Sequence, residues 1–187
     1  ANYGFRNNVT LDTLRIEMIH NTIAVSPAYQ IRTDAHTHVL SGSVSYSHFD
    51  EFNLFTARFQ NTTSLSTSTT YQIVFHDRPL SLGAMAMYLI NDAPMSEIRI
   101  FTSGLNARYR FFNQRLIPSA RFTYSRIARE PFTADHRLRF QLRTTYKITE
   151  YADFNVSWNA STYRYGSSRP DAGIFENRLQ VSLQTRF

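Results

Sequence analysis

Three histidines, His36, His38 and His76, come nearest to the ligand set of a metal site in this sequence. His36 and His38 stand two residues apart, so on a β-strand both side chains would project from the same face. Neutral imidazoles grouped in this way bind Zn²⁺. All three histidines also lie beside predicted turns, where polar side chains are common, and that is the simpler explanation for them. We therefore predict no metal site and no cofactor.

A second group of histidines and carboxylates falls near the opposite ends of the same predicted strands. Its members are His48, Asp50, Glu51, Asp92, Asp135 and His136. Carboxylates and imidazoles together can activate water for hydrolysis. Nucleophilic catalysis also needs a serine or similar group beside its base, and no spacing in the sequence singles one out. We predict no catalytic residues and no enzymatic activity.

Arginine dominates the charge of the chain. The 187 residues carry a formal net charge of +6, and Lys147 is the only lysine. The planar guanidinium pairs with carboxylates and phosphates at two points, which favours fixed ion-pair networks or contact with anionic lipids and solutes. A bias in genome composition is the alternative explanation. Nucleic-acid binding is not predicted, because the arginines are spread along the chain and no nucleic-acid motif is present.

The elements that hold these side chains are predicted by a period of two in hydropathy. From 137 to 149 the odd positions are polar or charged, whereas the even positions are nearly all apolar. The alternation continues from 153 to 161 and from 178 to 187. Such a pattern indicates strands that have one apolar and one polar face.

Along the whole chain, the alternation predicts one all-β domain, 1–187, made of antiparallel strands in up-and-down order. About ten strands are predicted. They lie near 8–19, 22–33, 36–49, 61–76, 79–91, 97–112, 115–128, 135–149, 152–165 and 174–187. Short turns are predicted at 34–35, 76–78, 113–114 and 150–151, and longer loops at 50–60, 92–96, 129–134 and 166–173. One further short connection, at His20 and Asn21, breaks this alternation of lengths.

Strand length favours a transmembrane β-barrel over a soluble sandwich or a lipocalin-like carrier. A strand tilted by about 45° needs roughly 9 to 11 residues to cross the hydrocarbon core, whereas soluble strands average about five or six. Tyrosine and phenylalanine recur near the predicted strand ends, as they do at membrane interfaces. The longest apolar run, Leu82 to Ile90, is far too short for a membrane-spanning helix. Because a bilayer forbids open strand edges, the sheet should close on itself or on partner strands.

The last strand resembles the C-terminal signature of bacterial outer-membrane proteins, in which alternating apolar residues end on an aromatic residue. Leu179, Val181, Leu183 and Phe187 match this pattern, and Thr185 departs from it. The resemblance implies that the four matching residues are recognised by the barrel-assembly machinery. It also implies a barrel in the bacterial cell outer membrane, or the C-terminal part of a larger barrel. More loosely, the whole chain resembles barrels from the Bacteroidota and related phyla.

If the apolar faces point to lipid, the polar faces line the lumen. The charged residues predicted there are Arg15, Glu17, Arg32, Arg108, Arg110, Arg115, Arg121, Arg137, Arg139, Arg143, Lys147, Asp153, Arg178 and Arg186. About eight strands enclose an interior that side chains just fill, and wide pores need roughly 16. A closed ten-strand barrel should therefore be largely blocked by a network of ion pairs. This predicts an anchor or scaffold for an envelope or surface assembly; the alternative is a narrow, porin-like, anion-preferring diffusion channel.

Arg126 and Arg164 are predicted on the lipid-facing side, near the loop ends of their strands. Two explanations remain open for them. The guanidinium groups either snorkel to the interface or form salt bridges with phosphates of an anionic outer-membrane glycolipid. An omptin-like or lipid-modifying enzyme is the less favoured function, because the similarity to the ten-stranded omptin proteases is confined to the composition of the histidine and carboxylate group.

Overall fold

The chain forms a single large antiparallel β-sheet in the computed structural model. The backbone is described for residues 2–5, 8–9, 15–16, 18–53, 58–94, 96–166 and 173–185, and the side chains for 21–50, 61–94, 96–166 and 173–185. The strands of these parts are β1 (Asn2–Phe5), β2 (Asn8–Val9), β3 (Arg15–Ile16), β4 (Met18–Val25), β5 (Ala28–Arg32), β6 (His36–Asn53), β7 (Arg58–Phe75), β8 (Leu80–Ala93), β9 (Ser96–Tyr109), β10 (Leu116–Arg129), β11 (Phe132–Thr149), β12 (Ala152–Arg164) and β13 (Gly173–Thr185). No helix among the described residues is long and apolar enough to cross a membrane.

The order of the strands in the large sheet is β1-β4-β6-β7-β8-β9-β10-β11-β12-β13, and β5 also pairs with β6. From β5 to β13, each strand pairs with the next one along the chain. The strands β4 and β5 both pair with β6 in one unbroken register, from Met18 opposite Glu51 to Arg32 opposite Thr37. They are therefore two halves of one strand, interrupted at Ser26 and Pro27, where proline has no N–H to donate. With these halves taken together, the sheet has ten strand positions, as the sequence predicts. A separate small ladder joins β2 and β3.

The sheet is open within the described residues. The strands β1 and β13 lie at its opposite edges, and no ladder pairs them with each other. The strands β6 to β13 contain 13 to 18 residues each. All of them exceed the roughly 9 to 11 residues that a tilted strand needs to cross the hydrocarbon core. The prediction of long antiparallel strands is confirmed.

The apolar face of this sheet is exposed. Among the described residues, no hydrophobic side chain is buried, and large apolar groups such as Phe122 and Leu142 expose 44% and 38% of their surface. In a soluble sandwich, these side chains would pack against a second sheet. An outward-facing apolar band is instead typical of a barrel wall in contact with lipid. The opposite face is polar and concave, since the cavities of the structure lie along it.

The predicted start of the sheet is wrong. Residues 18–25 form one strand, so no connection exists at His20 and Asn21. The sheet begins instead with Asn2–Phe5, which pairs with β4 from Asn2 opposite Thr22 to Phe5 opposite Ile19. The 8–19 tract alternates like a strand in sequence, but its described parts are the short β2–β3 ladder and the first residues of β4.

The predicted contrast between short turns and long loops is also only partly reproduced. At the end of the sheet predicted to carry long loops, the later connections are 54–57, 94–95, 130–131 and 165–172. At the other end they are 33–35, 76–79, 110–115 and 150–151. Two of the predicted loops are therefore tight turns, because β8, β9, β10 and β11 extend beyond their predicted limits. We call these ends the loop end and the turn end.

Candidate functional site

The concave face carries most of the charge of the sheet, and the strand register brings its arginines together. Arg108 of β9 and Arg143 of β11 both pair with Ser119 of β10, so they flank one small side chain in the same row. In the next row, Arg121 lies between Asn106 and Gln141. Strands are spaced by about 4.8 Å, so the two arginines beside Ser119 stand about 10 Å apart at the backbone.

The arginines surround a cavity on this face. It has a volume of about 510 Å³ and is lined by Gln72, Val74, Ser81, Asn106, Ala107, Arg108, Arg110, Ser119, Ala120, Arg121, Gln141 and Arg143. No carboxylate lines this cavity. The polar face continues towards β13 with Asn155, Ser157, Asn159, Gln180, Ser182 and Gln184. Because these flanking residues are short or uncharged, they leave the guanidinium groups as the dominant charges of the concave face.

These arginines are not neutralised by nearby carboxylates. The ion pairs between described residues are His48 with Asp50, Arg78 with Asp77, and Arg99 with Glu97 and Glu130. None of them involves Arg108, Arg110, Arg121, Arg137, Arg139 or Arg143. Two carboxylates of the concave face have other partners, since Glu176 accepts a hydrogen bond from Ser161, and Asp135 accepts two hydrogen bonds. An electropositive surface therefore follows from the described geometry.

The other half of the concave face is lined with hydroxyl groups. The strands β6 and β7 place Ser41, Ser43, Ser45 and Ser47 opposite Thr70, Ser68, Ser66 and Ser64. The hydroxyl oxygens of Ser43 and Ser68 lie 2.8 Å apart, within hydrogen-bond distance. The Ser/Thr-rich segment 62–70 is therefore part of a strand with a hydroxyl-lined face. Both halves of the concave face are hydrophilic, and most of its arginines lie on the β9 to β13 half.

The structure describes most of the predicted lumen residues on this one face. Lys147 and Asp153 are register partners on β11 and β12, and Arg178 of β13 is opposite Asn159. For Arg15 only the backbone is described, while Glu17, Arg186 and Phe187 lie outside the described residues. Leu179, Val181 and Leu183 are exposed on the apolar face of β13. Their recognition by the assembly machinery stays a prediction.

Two of the three histidines considered for a metal form hydrogen bonds through their ring nitrogens, whereas the His36 ring contacts the rings of His38 and Phe75. His38 Nδ1 is 2.7 Å from the Tyr71 hydroxyl. His76 contacts Thr37 Oγ1 through Nε2 and the Asp34 carbonyl oxygen through Nδ1, so both ring nitrogens hold the turn together. The rings of His36 and His38 are 5.9 Å apart. No group of three or more potential ligands is found in the described part of the chain.

The second group of histidines and carboxylates is divided between the two faces. His48 Nε2 lies 2.9 Å from Asp50 Oδ2, on the apolar face. Asp135 is 9% exposed on the concave face and accepts hydrogen bonds from the Tyr163 hydroxyl, at 3.0 Å, and from the Gly166 N–H, at 2.7 Å. This carboxylate therefore holds the start of the 165–172 connection. A Cβ atom at Gly166 would lie 2.1 Å from the Thr133 carbonyl oxygen, which is too close for any side chain, and this explains the glycine at that position.

One arrangement on the apolar face combines residues that the sequence analysis treated separately. His136 of β11 is opposite both Arg126 of β10 and Arg164 of β12. Its Nδ1 lies 2.8 Å from the Tyr124 hydroxyl. Alternation alone places the two arginines on this face, but only the strand register shows that a histidine stands between them.

A neighbouring charged group lies closer to the loop end of the same face. Arg99 donates a hydrogen bond to Glu97 and also approaches Glu130 at 3.8 Å. The hydrogen bond from the Arg99 guanidinium, together with its charge, lowers the pKa of Glu97. Both carboxylates are thus engaged by Arg99 rather than by Arg126 or Arg164.

The long strands, the exposed apolar band and the polar concave face define the fold of an outer-membrane β-barrel, here as an open sheet. Among solved structures, the chain is similar to "OmpT (in-vitro folded), an outer membrane protein" of Vibrio cholerae in its trimer form, with a TM-score of 0.57 and 10% sequence identity. The match covers 91% of this chain and 56% of that chain. No protein-family model and no curated protein matches the sequence.

Two of the sequence predictions are corrected by this comparison. The prediction that the chain has no enzymatic activity does not stand, since the neighbour bears the name OmpT and an omptin-like role is therefore left open. At 10% identity the likeness shows the fold alone and assigns no activity. The predicted affinity with the Bacteroidota gains no support, because the neighbour comes from Vibrio cholerae.

Proposed function

We propose that the chain forms part of the wall of an outer-membrane channel, and that its concave face lines a path that prefers anions. The observation that carries this proposal is the cluster of arginines around the 510 Å³ cavity, with no carboxylate among its lining residues. Charges of one sign that line a pore raise the local concentration of counter-ions inside it. Rings of arginine therefore select for anions. The similarity to an outer-membrane protein supports a membrane location for this face.

The open sheet favours a channel over an anchor. An anchor would be a closed ten-strand barrel filled by its own side chains. The described sheet is not closed, and its arginines border a cavity rather than a network of ion pairs. The chain also spans just over half of the longer chain to which it is similar. A wall of this kind within a wider barrel would leave room for hydrated ions beside the arginines.

Ion selectivity of the reconstituted protein tests the proposal. The purified protein is incorporated into a planar bilayer between KCl solutions of unequal concentration, and the sign of the reversal potential gives the preferred ion. We expect a preference for chloride. The double substitution Arg121→Gln/Arg143→Gln removes two charges from the cavity wall at nearly constant side-chain length, so it should move the reversal potential towards zero.

Arg126→Gln/Arg164→Gln provides the matched control, since it also removes two charges, but from the apolar face. It should leave the reversal potential within experimental error of the unsubstituted protein. A preference for potassium, or an equal shift from the control substitution, would overturn the proposal. A folded, membrane-inserted protein that passes no current would overturn it too, and would favour the anchor.

A further inference from the structure

We propose that Arg126, His136 and Arg164 form a binding site on the outer wall for the phosphate group of an anionic membrane lipid. The three residues occupy one row across β10, β11 and β12, with His136 opposite both arginines. The proposal rests on the apolar face meeting lipid and does not depend on whether the concave face conducts ions.

The row combines three potential cationic or donor groups at a spacing that suits one anion. Adjacent strands are about 4.8 Å apart, so the two arginines stand about 10 Å apart at the backbone with the imidazole between them. Guanidinium groups bind phosphate through paired hydrogen bonds. Side chains of this length can converge from both sides on a phosphate above His136.

The two arginines of the site have hydrogen-bond donors available for a ligand. Arg126 and Arg164 are exposed, and no carboxylate of the described residues forms an ion pair with either. The two acidic side chains near the row on this face, Glu97 and Glu130, are taken up by Arg99. Asp135, next to His136 in sequence, points to the opposite face, where it binds Tyr163 and Gly166.

Tyr124 orients the imidazole. Its hydroxyl lies 2.8 Å from His136 Nδ1, and the two rings are stacked with an interplanar angle of 24°. When the hydroxyl donates to Nδ1, the ring proton resides on Nε2, and no described residue forms a hydrogen bond with that nitrogen. The nitrogen is then available to donate to a phosphate oxygen.

The depth of the row matches a lipid head group. From His136 to Ile148, β11 runs for 12 residues, which at about 3.3 Å per residue and a tilt of about 45° correspond to roughly 28 Å along the membrane normal. That distance is close to the roughly 30 Å of the hydrocarbon core. Between these limits, the apolar face of β11 carries Leu138, Phe140, Leu142, Thr144 and Tyr146. The row therefore lies at the interface where phosphates reside.

Lipid retention by the full chain tests the site. The protein is folded in zwitterionic detergent micelles, titrated with short-chain phosphatidylglycerol, and its bound lipid is counted by native mass spectrometry. Short-chain phosphatidylcholine and inorganic phosphate form parallel titrations. We expect phosphatidylglycerol to be retained in preference to both, because it combines an uncompensated phosphate with acyl chains that contact the apolar band.

Arg126→Gln/Arg164→Gln should weaken phosphatidylglycerol retention about thirtyfold, on the basis of roughly fivefold per arginine near an anionic surface. Arg32→Gln/Arg78→Gln removes the same charge at the turn end and should leave retention unchanged. If the first double variant fails to fold, Tyr124→Phe serves instead, since it removes only the hydroxyl that orients His136 and should cause a smaller loss.

Three results would overturn the proposal. The first is equal retention by the two double variants, or by Tyr124→Phe and the unsubstituted protein when the first double variant does not fold. The second is equal retention of phosphatidylcholine. The third is full displacement of phosphatidylglycerol by inorganic phosphate at matched concentration, which would assign the row to free anions. Loss of lipid retention with unchanged ion selectivity would separate this site from the proposed channel.

Discussion

The orientation of the apolar face predicts a depth-dependent cost for placing a charge on it. Leu142 lies midway between His136 and Ile148 on the apolar face of β11, six residues from each. At about 3.3 Å per residue and a tilt of about 45°, each half corresponds to roughly 14 Å, so Leu142 lies near the bilayer midplane. Its register partners are Ala120 and Trp158, and 38% of its surface is exposed.

Leu142→Arg should therefore lower the free energy of unfolding by about 2–4 kcal/mol, the cost of arginine at the midplane of a barrel's lipid face. Ile148→Arg, at the interface, should cost only about 0–1 kcal/mol. Gln141→Arg is the control for depth, since it places the same charge next to Leu142 but on the concave face. Its cost should stay below about 1 kcal/mol, the scale of like-charge repulsion from its register partner Arg121, because that face is already polar.

Urea unfolding in phospholipid vesicles, followed by the emission of Trp158, measures these differences. Leu142→Ala should be measured alongside, so that the loss of apolar contact can be separated from the cost of the charge. An equal cost for Gln141→Arg and Leu142→Arg would contradict a lipid-facing apolar band. A cost that rises from Leu142 towards Ile148 would contradict it too, because a membrane gives the opposite gradient.

Two further predictions concern single side chains. Trp158, the only tryptophan, lies on the apolar face of β12; its emission should be quenched by brominated acyl chains and little by acrylamide, and the reverse pattern would contradict a lipid-facing band. Asp135→Ala should lower the free energy of unfolding by about 1–3 kcal/mol, since it leaves the Tyr163 hydroxyl and the Gly166 N–H without their acceptor. The same denaturation experiment checks it, and a change below about 0.5 kcal/mol, typical of a neutral surface substitution, would show that this carboxylate does not hold the loop.

The alternation of the sequence predicts the later strands and their faces well, because each side of the sheet meets a different environment. It fails at the start of the sheet. Residues 18–25 form one strand through His20 and Asn21 because β6, with 18 residues, offers a continuous partner along their length. Turn propensity at two polar residues is weaker than that pairing. The strands β8 to β11 extend to tight turns for the same reason, since each has a neighbouring strand to pair with along its length.

The sites are less predictable from sequence than the strands, because they depend on strand register. Alternation places Arg108, Arg121 and Arg143 on one face, but only the pairing across β10 shows that they surround one cavity. Asp135 and His136 appear as one polar group in sequence, whereas the pleat separates them onto opposite faces. Closure of the sheet depends on which strands pair with its edge strands, β1 and β13. An alternation with a period of two does not predict those partners.

The neighbour-to-neighbour pairing of the strands has a consequence for how this sheet forms. From β6 to β13, every ladder joins segments that follow each other along the chain, so each hairpin can form without waiting for distant residues. The chain loop that each hairpin closes is shorter than one between distant strands would be, so its entropy cost is lower. Each added hairpin nevertheless leaves a new row of unpaired N–H and C=O groups at the growing edge, which a bilayer does not tolerate. Assembly should therefore proceed as stepwise growth against a protected edge, with the β1 and β13 edges the last to require partners.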